Sequence, residues 1–327
     1  MMTIVVPVSE STLGAALQEV SAGAGGLLLF GASAPSNLGT QLAYVKTYVP
    51  SRIGLLIMTD EEGGGVQRMA NLVGSLPWPA WMGANWTPAQ IQAAVNRVAG
   101  NMYANGVNMD LAPVVDVDGT NAPPSTTNPD GWRSFSGSTV VVTRDGIAFM
   151  NGLRSANVIP VLKHFPGLGG SSGNTDNGSA QTLPWSTLQQ VAFPPFAAAI
   201  DAGAPAIMVS NARVPGLTTL PASLSPAVMQ QLTIALHFHG LVMTDSLSAG
   251  AISAAGFTVP AAAVQALRAG ADMVMFGLPA TTAATVTQTF AIRAAIVSAV
   301  ANGTLARSRL IDAVVAVLAS RSVNLCT

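Results

Sequence analysis

Val158-Ile159-Pro160-Val161-Leu162-Lys163-His164-Phe165 is a short apolar run that ends on a cation and an imidazole. It is too brief for a typical helix, and its β-branched residues and continuous apolarity suit a strand buried on both faces. Lys163 and His164 then stand at the C-terminal end of that strand, just before the Gly- and Ser-rich stretch Gly167–Pro184. Similar runs recur at Ile4–Val8, Gly26–Phe30, Leu55–Asp60, Val107–Pro113, Ala206–Asn211, Leu241–Leu247 and Met273–Gly277, each followed by an Ala-rich segment with helical spacing. Eight such units predict an α/β fold, a parallel (β/α)8 barrel of TIM type, as a single domain over 1–327 with no second domain. Thr304, after the breaker Asn302-Gly303, is expected to cap a terminal amphipathic helix carrying Leu305, Ile311, Val314, Val315 and Leu318.

Composition narrows the function. Only 9% of the 327 residues are charged, against roughly 25% in ordinary soluble proteins. With 14 Lys+Arg against 15 Asp+Glu and a net charge of -1, the chain has no basic field for a phosphate backbone or an anionic membrane surface. Half of the residues are hydrophobic and the mean hydropathy is +0.46. The uncharged stretches 20–45 and 246–267 are nevertheless broken by Gly, Pro, Asn and Ser, so no membrane span is expected from them. The single cysteine, Cys326, excludes an internal disulfide framework and a Cys-based zinc site. Met1-Met2-Thr3 leads directly into Ile4-Val5-Val6, which fits a cytoplasmic protein or an exported one whose signal lies outside this sequence. Two lysines among abundant Ala, Gly and Thr fit a high-GC bacterial source. The sequence leaves the oligomeric state open.

Where charges are scarce, their positions inform. Asp60, Lys163 and Asp245 fall at the expected ends of the third, fifth and seventh strands, and in a barrel they converge on one mouth. The long connections Asp116–Ser138 and Gly167–Pro184 would lie over the same face. Carboxylates flanked by cationic donors suit chemistry on a neutral substrate, and two carboxylates suffice for glycoside hydrolysis. There is no P-loop and no H-E-x-x-H helix. The three histidines, His164, His237 and His239, show no metal-ligand spacing, so no metal and no cofactor is expected. His237 and His239 precede the seventh strand and belong to the barrel's opposite end.

At these residues the chain resembles glycoside hydrolase family 3, specifically its single-domain β-N-acetylhexosaminidase branch. Asp60-Glu61-Glu62-Gly63-Gly64-Gly65-Val66-Gln67-Arg68 is similar to the family's D-Q-E-G-G-R-V-Q-R segment. Leu111–Val117 looks like its A-P-V-x-D-V strand exit, and Arg133-Ser134-Phe135 like its R-S-F-G loop. Lys163-His164-Phe165-Pro166-Gly167 matches K-H-F-P-G, and Thr244-Asp245-Ser246-Leu247 is similar to the S-D-D-L nucleophile strand. Pro221-Ala222-Ser223-Leu224-Ser225 matches P-A-x-L-S, and Ala269-Gly270-Ala271-Asp272-Met273 matches A-G-A-D-M. The resemblance implies a retaining exo-glycosidase acting on a small carbohydrate, with terminal β-N-acetylglucosaminides the leading substrates. Asp245 would be the nucleophile, and Asp60, Arg68, Arg133, Lys163 and His164 would bind the sugar. Asn211, standing where the family often has His, would add a polar contact, and Trp132 is the best-placed aromatic for stacking on a sugar face.

One position departs from the family. The branch carries a D-x-H dyad in the loop after K-H-F-P-G, its His serving as acid/base. Here Asp176 is present, but the His position is Gly178. Three readings follow. Asp176 acts as the acid/base itself, its pKa raised by a dry pocket near Asp245. Alternatively Glu61, Glu62 or Asp130 serves, or the protein binds sugar with little turnover. Phosphorolysis and transglycosylation replace only the acceptor.

Overall fold

The computed structural model describes residues 1–50 and 53–321, and Cys326 lies outside them. Eight parallel strands form the barrel: β1 (Ile4–Ser9), β2 (Gly26–Phe30), β3 (Leu56–Thr59), β4 (Met109–Asp110), β5 (Ile159–Phe165), β6 (Ala206–Val209), β7 (Leu241–Thr244) and β8 (Val274–Met275). Hydrogen bonding runs in chain order from β1 to β7, with β8 beside β1. The ring closes where Thr244 and Leu247 donate to the carbonyls of Met273 and Met275. All eight expected strands are present, and β4 and β8 are shorter than their apolar runs.

Period-2 alternation sorts the side chains. Val5, Leu28, Leu56, Met58, Met109, Leu111, Val161, Met208, Met243, Met273 and Met275 fill the barrel's interior. Ile4, Val6, Leu27, Leu29, Ile57, Leu162, Ile207 and Val242 face outward onto the helices. Unbranched methionines suit the interior because three rotatable bonds let them fill irregular gaps between layers. The helices start on local signals. Thr87 and Gln90 close a capping box at the head of helix Pro88–Ala104, and Thr281 caps helix Thr282–Ala301.

One expectation needs correction. The last helix, Arg307–Ser320, starts after Ala306, and Thr304 sits in a turn where its N–H is held by the Asn302 side chain. Leu305, Ala313 and Val317 are buried, whereas Ile311 and Val315 are largely exposed. Among the described residues one helix, Thr282–Ala301, is long and apolar enough by composition to cross a membrane. It packs against β1 and helix Val259–Ala269 as part of the barrel's outer wall.

Candidate active site

A cavity of about 380 Å³ opens at the C-terminal ends of the strands. Leu28, Leu111, Met208 and Met275 make an apolar floor, and Asp60, Glu62, Arg68, Arg133, Lys163, His164, Asp176 and Asp245 supply the polar wall. Both long connections contribute: Pro124, Pro129 and Arg133 come from the first, and Leu168 with Asn174–Asp176 from the second.

Lys163 leaves the end of β5 and places its ammonium 2.8 Å from Asp60 Oδ1 and 2.6 Å from Glu62 Oε1. Glu62 also receives Arg133 through Nε at 2.7 Å and Nη2 at 2.8 Å. One carboxylate thus fixes two cations on the cavity wall. Burial alone would push Glu62 up, but Arg133 and Lys163 hold it well below the usual carboxylate range. It stays ionised and cannot donate a proton. Asp60 continues the chain of charges to Arg68, whose Nη2 lies 3.6 Å away and whose guanidinium covers the Phe30 ring.

His164 is oriented from behind. Its Nδ1 lies 2.6 Å from Asp116 Oδ2, and Asp116 also accepts the backbone N–H groups of His164 and Leu168. With Asp116 as an ionised acceptor, Nδ1 carries the proton and the Nε2 lone pair faces Arg133 Nη2. Burial and Arg133 lower His164 to about 4, which keeps the ring neutral. Asp116, Asp130 and His164 offer atoms within 4.8 Å of one another, a spacing that could hold a small cation. Arg133 already supplies positive charge there, with Nη1 3.9 Å from Asp130 Oδ1 and Nη2 3.5 Å from His164 Nε2.

Asp245 follows β7 and lines the cavity, its Oδ1 accepting the Ser246 N–H at 2.6 Å. Burial raises its pKa; His164, the Ser246 N–H and Lys163 oppose the rise, while the charge of Asp176 adds to it. Asp176 lies on the rim of the same cavity with its side chain exposed. The dry setting expected for it is absent, because the loop is held through its backbone and leaves the carboxyl at the edge of water.

The other candidate acids are committed elsewhere. Glu61 is buried behind the wall, accepting from the Met69 N–H and the Gln67 amide, and burial pushes it to about 7. Asp130 is wholly buried, neither carboxyl oxygen has a hydrogen-bond partner, and burial raises it strongly. Neither lines the cavity.

Two residues expected to touch the sugar lie away from it. Asn211 is fully buried, with its amide donating to the Ser246 carbonyl at 2.7 Å and its oxygen accepting from the Ser223 hydroxyl. It braces the peptide next to Asp245. Trp132 sits on the single turn Gly131–Arg133, which points Arg133 inward and turns the indole outward, against Trp78 and the Asn121 side chain. His237 and His239 precede β7, at the end opposite the cavity.

The buried acids make stability pH-dependent. A carboxyl whose folded pKa is raised stabilises the fold below its unfolded pKa, and this contribution is lost as pH rises through the folded value. Glu61 and Asp130 both act in this sense. The melting temperature should therefore fall by on the order of 5 °C between pH 5.5 and 8.5. Asp130→Asn should flatten that slope in a thermal-shift titration, and an unchanged slope would refute the assignment.

Comparison with known proteins gives a consistent result. The model described as the glycosyl hydrolase family 3 N terminal domain matches residues 16–320. The β-hexosaminidase LpqI of Mycobacterium tuberculosis is 37% identical over 229 residues, which take in 68% of this chain and 58% of that protein. A β-hexosaminidase of Stenotrophomonas maltophilia is 33% identical over 67% of this chain and 66% of its own length. The chain thus matches less than two thirds of the length of these relatives. Among solved structures, M. tuberculosis LpqI superposes with a TM-score of 0.86 at 32% identity, covering 98% of this chain and 91% of that one. The β-N-acetylhexosaminidase of Beutenbergia cavernae gives 0.86 at 28%, covering 98% and 96%.

Proposed function

The chain belongs to glycosyl hydrolase family 3, and from that premise we propose that it is a retaining exo-glycosidase that removes terminal β-linked N-acetylglucosamine. The observation that carries this reading is the meeting of Asp245 and Asp176 in one cavity whose wall is a ring of fixed hydrogen-bonding groups. The paired Asp60, Lys163, Glu62 and Arg133 array and the neutral His164 together offer acceptors and donors to sugar hydroxyls. The apolar floor of Leu28, Leu111, Met208 and Met275 offers contact for a sugar face or an acetyl methyl.

In the first step an Asp245 carboxylate oxygen attacks the anomeric carbon. The bond to the leaving oxygen breaks as the Asp176 carboxyl gives that oxygen its proton. In the second step Asp176 takes a proton from water, the water oxygen bonds to the anomeric carbon, and the Asp245 ester opens. The fixed wall lowers the barrier by holding the sugar in the attacking geometry. Lys163 and Arg133 stay protonated throughout, because their paired carboxylates favour the charged forms.

The test is stereochemical. Proton NMR of early turnover on a β-N-acetylglucosaminide should show the β-anomer of N-acetylglucosamine first, with the α-anomer growing in by mutarotation. First appearance of the α-anomer would exclude the retaining mechanism, and no turnover on any β-glycoside would exclude hydrolysis.

A further inference from the structure

The loop that carries Asp176 is fastened to the segment that follows the nucleophile. The N–H of Gly250 donates to the Asp176 carbonyl at 3.0 Å, and the N–H of Ala251 donates to the Thr175 carbonyl at 2.9 Å. On the other side the Asn174 N–H reaches the Thr126 carbonyl at 2.9 Å, so the loop is also tied to the first long connection. Within the loop, the Asn174 side chain accepts the Asp176 N–H at 2.8 Å. These bonds fix the Asp176 backbone, although no described side chain hydrogen-bonds to its carboxyl.

The docking has a strict steric condition. A Cβ at Gly250 would stand 2.7 Å from the carbonyl carbon of Asn177, 2.7 Å from the Gly178 nitrogen and 2.9 Å from the Asp176 oxygen. All three are backbone atoms, so a larger residue there must push the loop away. Five residues earlier on the same segment stands Asp245, and Ser246 between them is braced by Asn211.

Resting on the reading of Asp176 as acid/base, we propose that Gly250 is a positioning residue for the reaction: its lack of a Cβ lets the loop seat its backbone so that Asp176 lines the same cavity as Asp245. Asp245–Ala251 then sets both carboxylates from one stretch of chain. This would compensate for Gly178, where the family's histidine would otherwise stand beside the aspartate.

The test compares Gly250→Ala, Gly178→Ala and Asp176→Ala on alkyl and dinitrophenyl N-acetyl-β-glucosaminides. Gly250→Ala should lower kcat/KM on the alkyl glycoside by about 10- to 100-fold, within the range a general acid supplies. On the dinitrophenyl glycoside, which needs no protonation, formation of the glycosyl-enzyme should change by less than about threefold. Gly178→Ala should match the parent on both, because a Cβ there meets no atom within 4 Å. An unchanged Gly250→Ala, or an equal loss on both substrates, overturns the proposal. If Asp176→Ala itself lacks the leaving-group dependence, the acid/base reading fails first and separately. Hydrogen exchange on the parent enzyme gives a readout that does not depend on the variant folding. The amides of Gly250 and Ala251 should be protected, and exchange at the rate of open loops overturns the docking.

Discussion

Replacing Asp176 with alanine should lower kcat/KM on alkyl N-acetyl-β-glucosaminides by about 10²- to 10⁴-fold and leave glycosyl-enzyme formation from the dinitrophenyl glycoside within about threefold of the parent. An alkoxide cannot leave without a proton, whereas a dinitrophenolate can. Asp176 is the cavity-lining carboxyl, apart from Asp245, that no cation grips at short range. Glu62 is locked ionised between Lys163 and Arg133, and Glu61 and Asp130 stand behind the wall. A steady-state leaving-group series measures the effect as a steeper dependence of rate on leaving-group pKa. Equal losses across the series would remove Asp176 from proton transfer.

Asp245→Ala has the larger effect and a different pattern. Without the attacking oxygen no ester forms, so turnover should fall by on the order of 10⁴-fold or more for every leaving group. Binding of N-acetylglucosamine should persist within a few-fold, because Asp60, Lys163, Arg133 and His164 hold one another in place without Asp245. Calorimetry beside the kinetic assay separates the two quantities. Comparable activity in the variant and the parent would assign the nucleophile elsewhere.

The strands were readable because a parallel barrel imposes a plain signature. Runs such as Val158–Phe165 are apolar throughout, and the charge that ends them marks the mouth of the barrel. Asp60, Lys163 and Asp245 follow that rule and line one cavity. The sequence misled where direction depends on a local turn. Asn211 follows β6 by two residues, as Asp245 follows β7 by one, yet it is fully buried and braces Ser246. Trp132 adjoins Arg133, but one tight turn sends them to opposite sides. Pairing was also hidden. That Glu62 joins two cations 71 and 101 residues away cannot be read from D-x-E spacing, nor can the three donors that meet at Asp116. A buried acid within a strand exit was the available signal for Asp116. For Gly250 the sequence gives nothing distinctive among 32 glycines, because its role lies in the backbone of a loop 72 residues upstream.

The most direct measurement is the site of the covalent intermediate. The parent enzyme and Asp176→Ala, in which hydrolysis of the ester is slowed for want of a base, are mixed with dinitrophenyl N-acetyl-β-glucosaminide, quenched in acid, digested and mapped by mass spectrometry. The account predicts one N-acetylglucosaminyl residue on the peptide containing Asp245, fragmented to that side chain, with higher occupancy in the variant. A label on any other residue, or turnover without a labelled peptide in either protein, would contradict it.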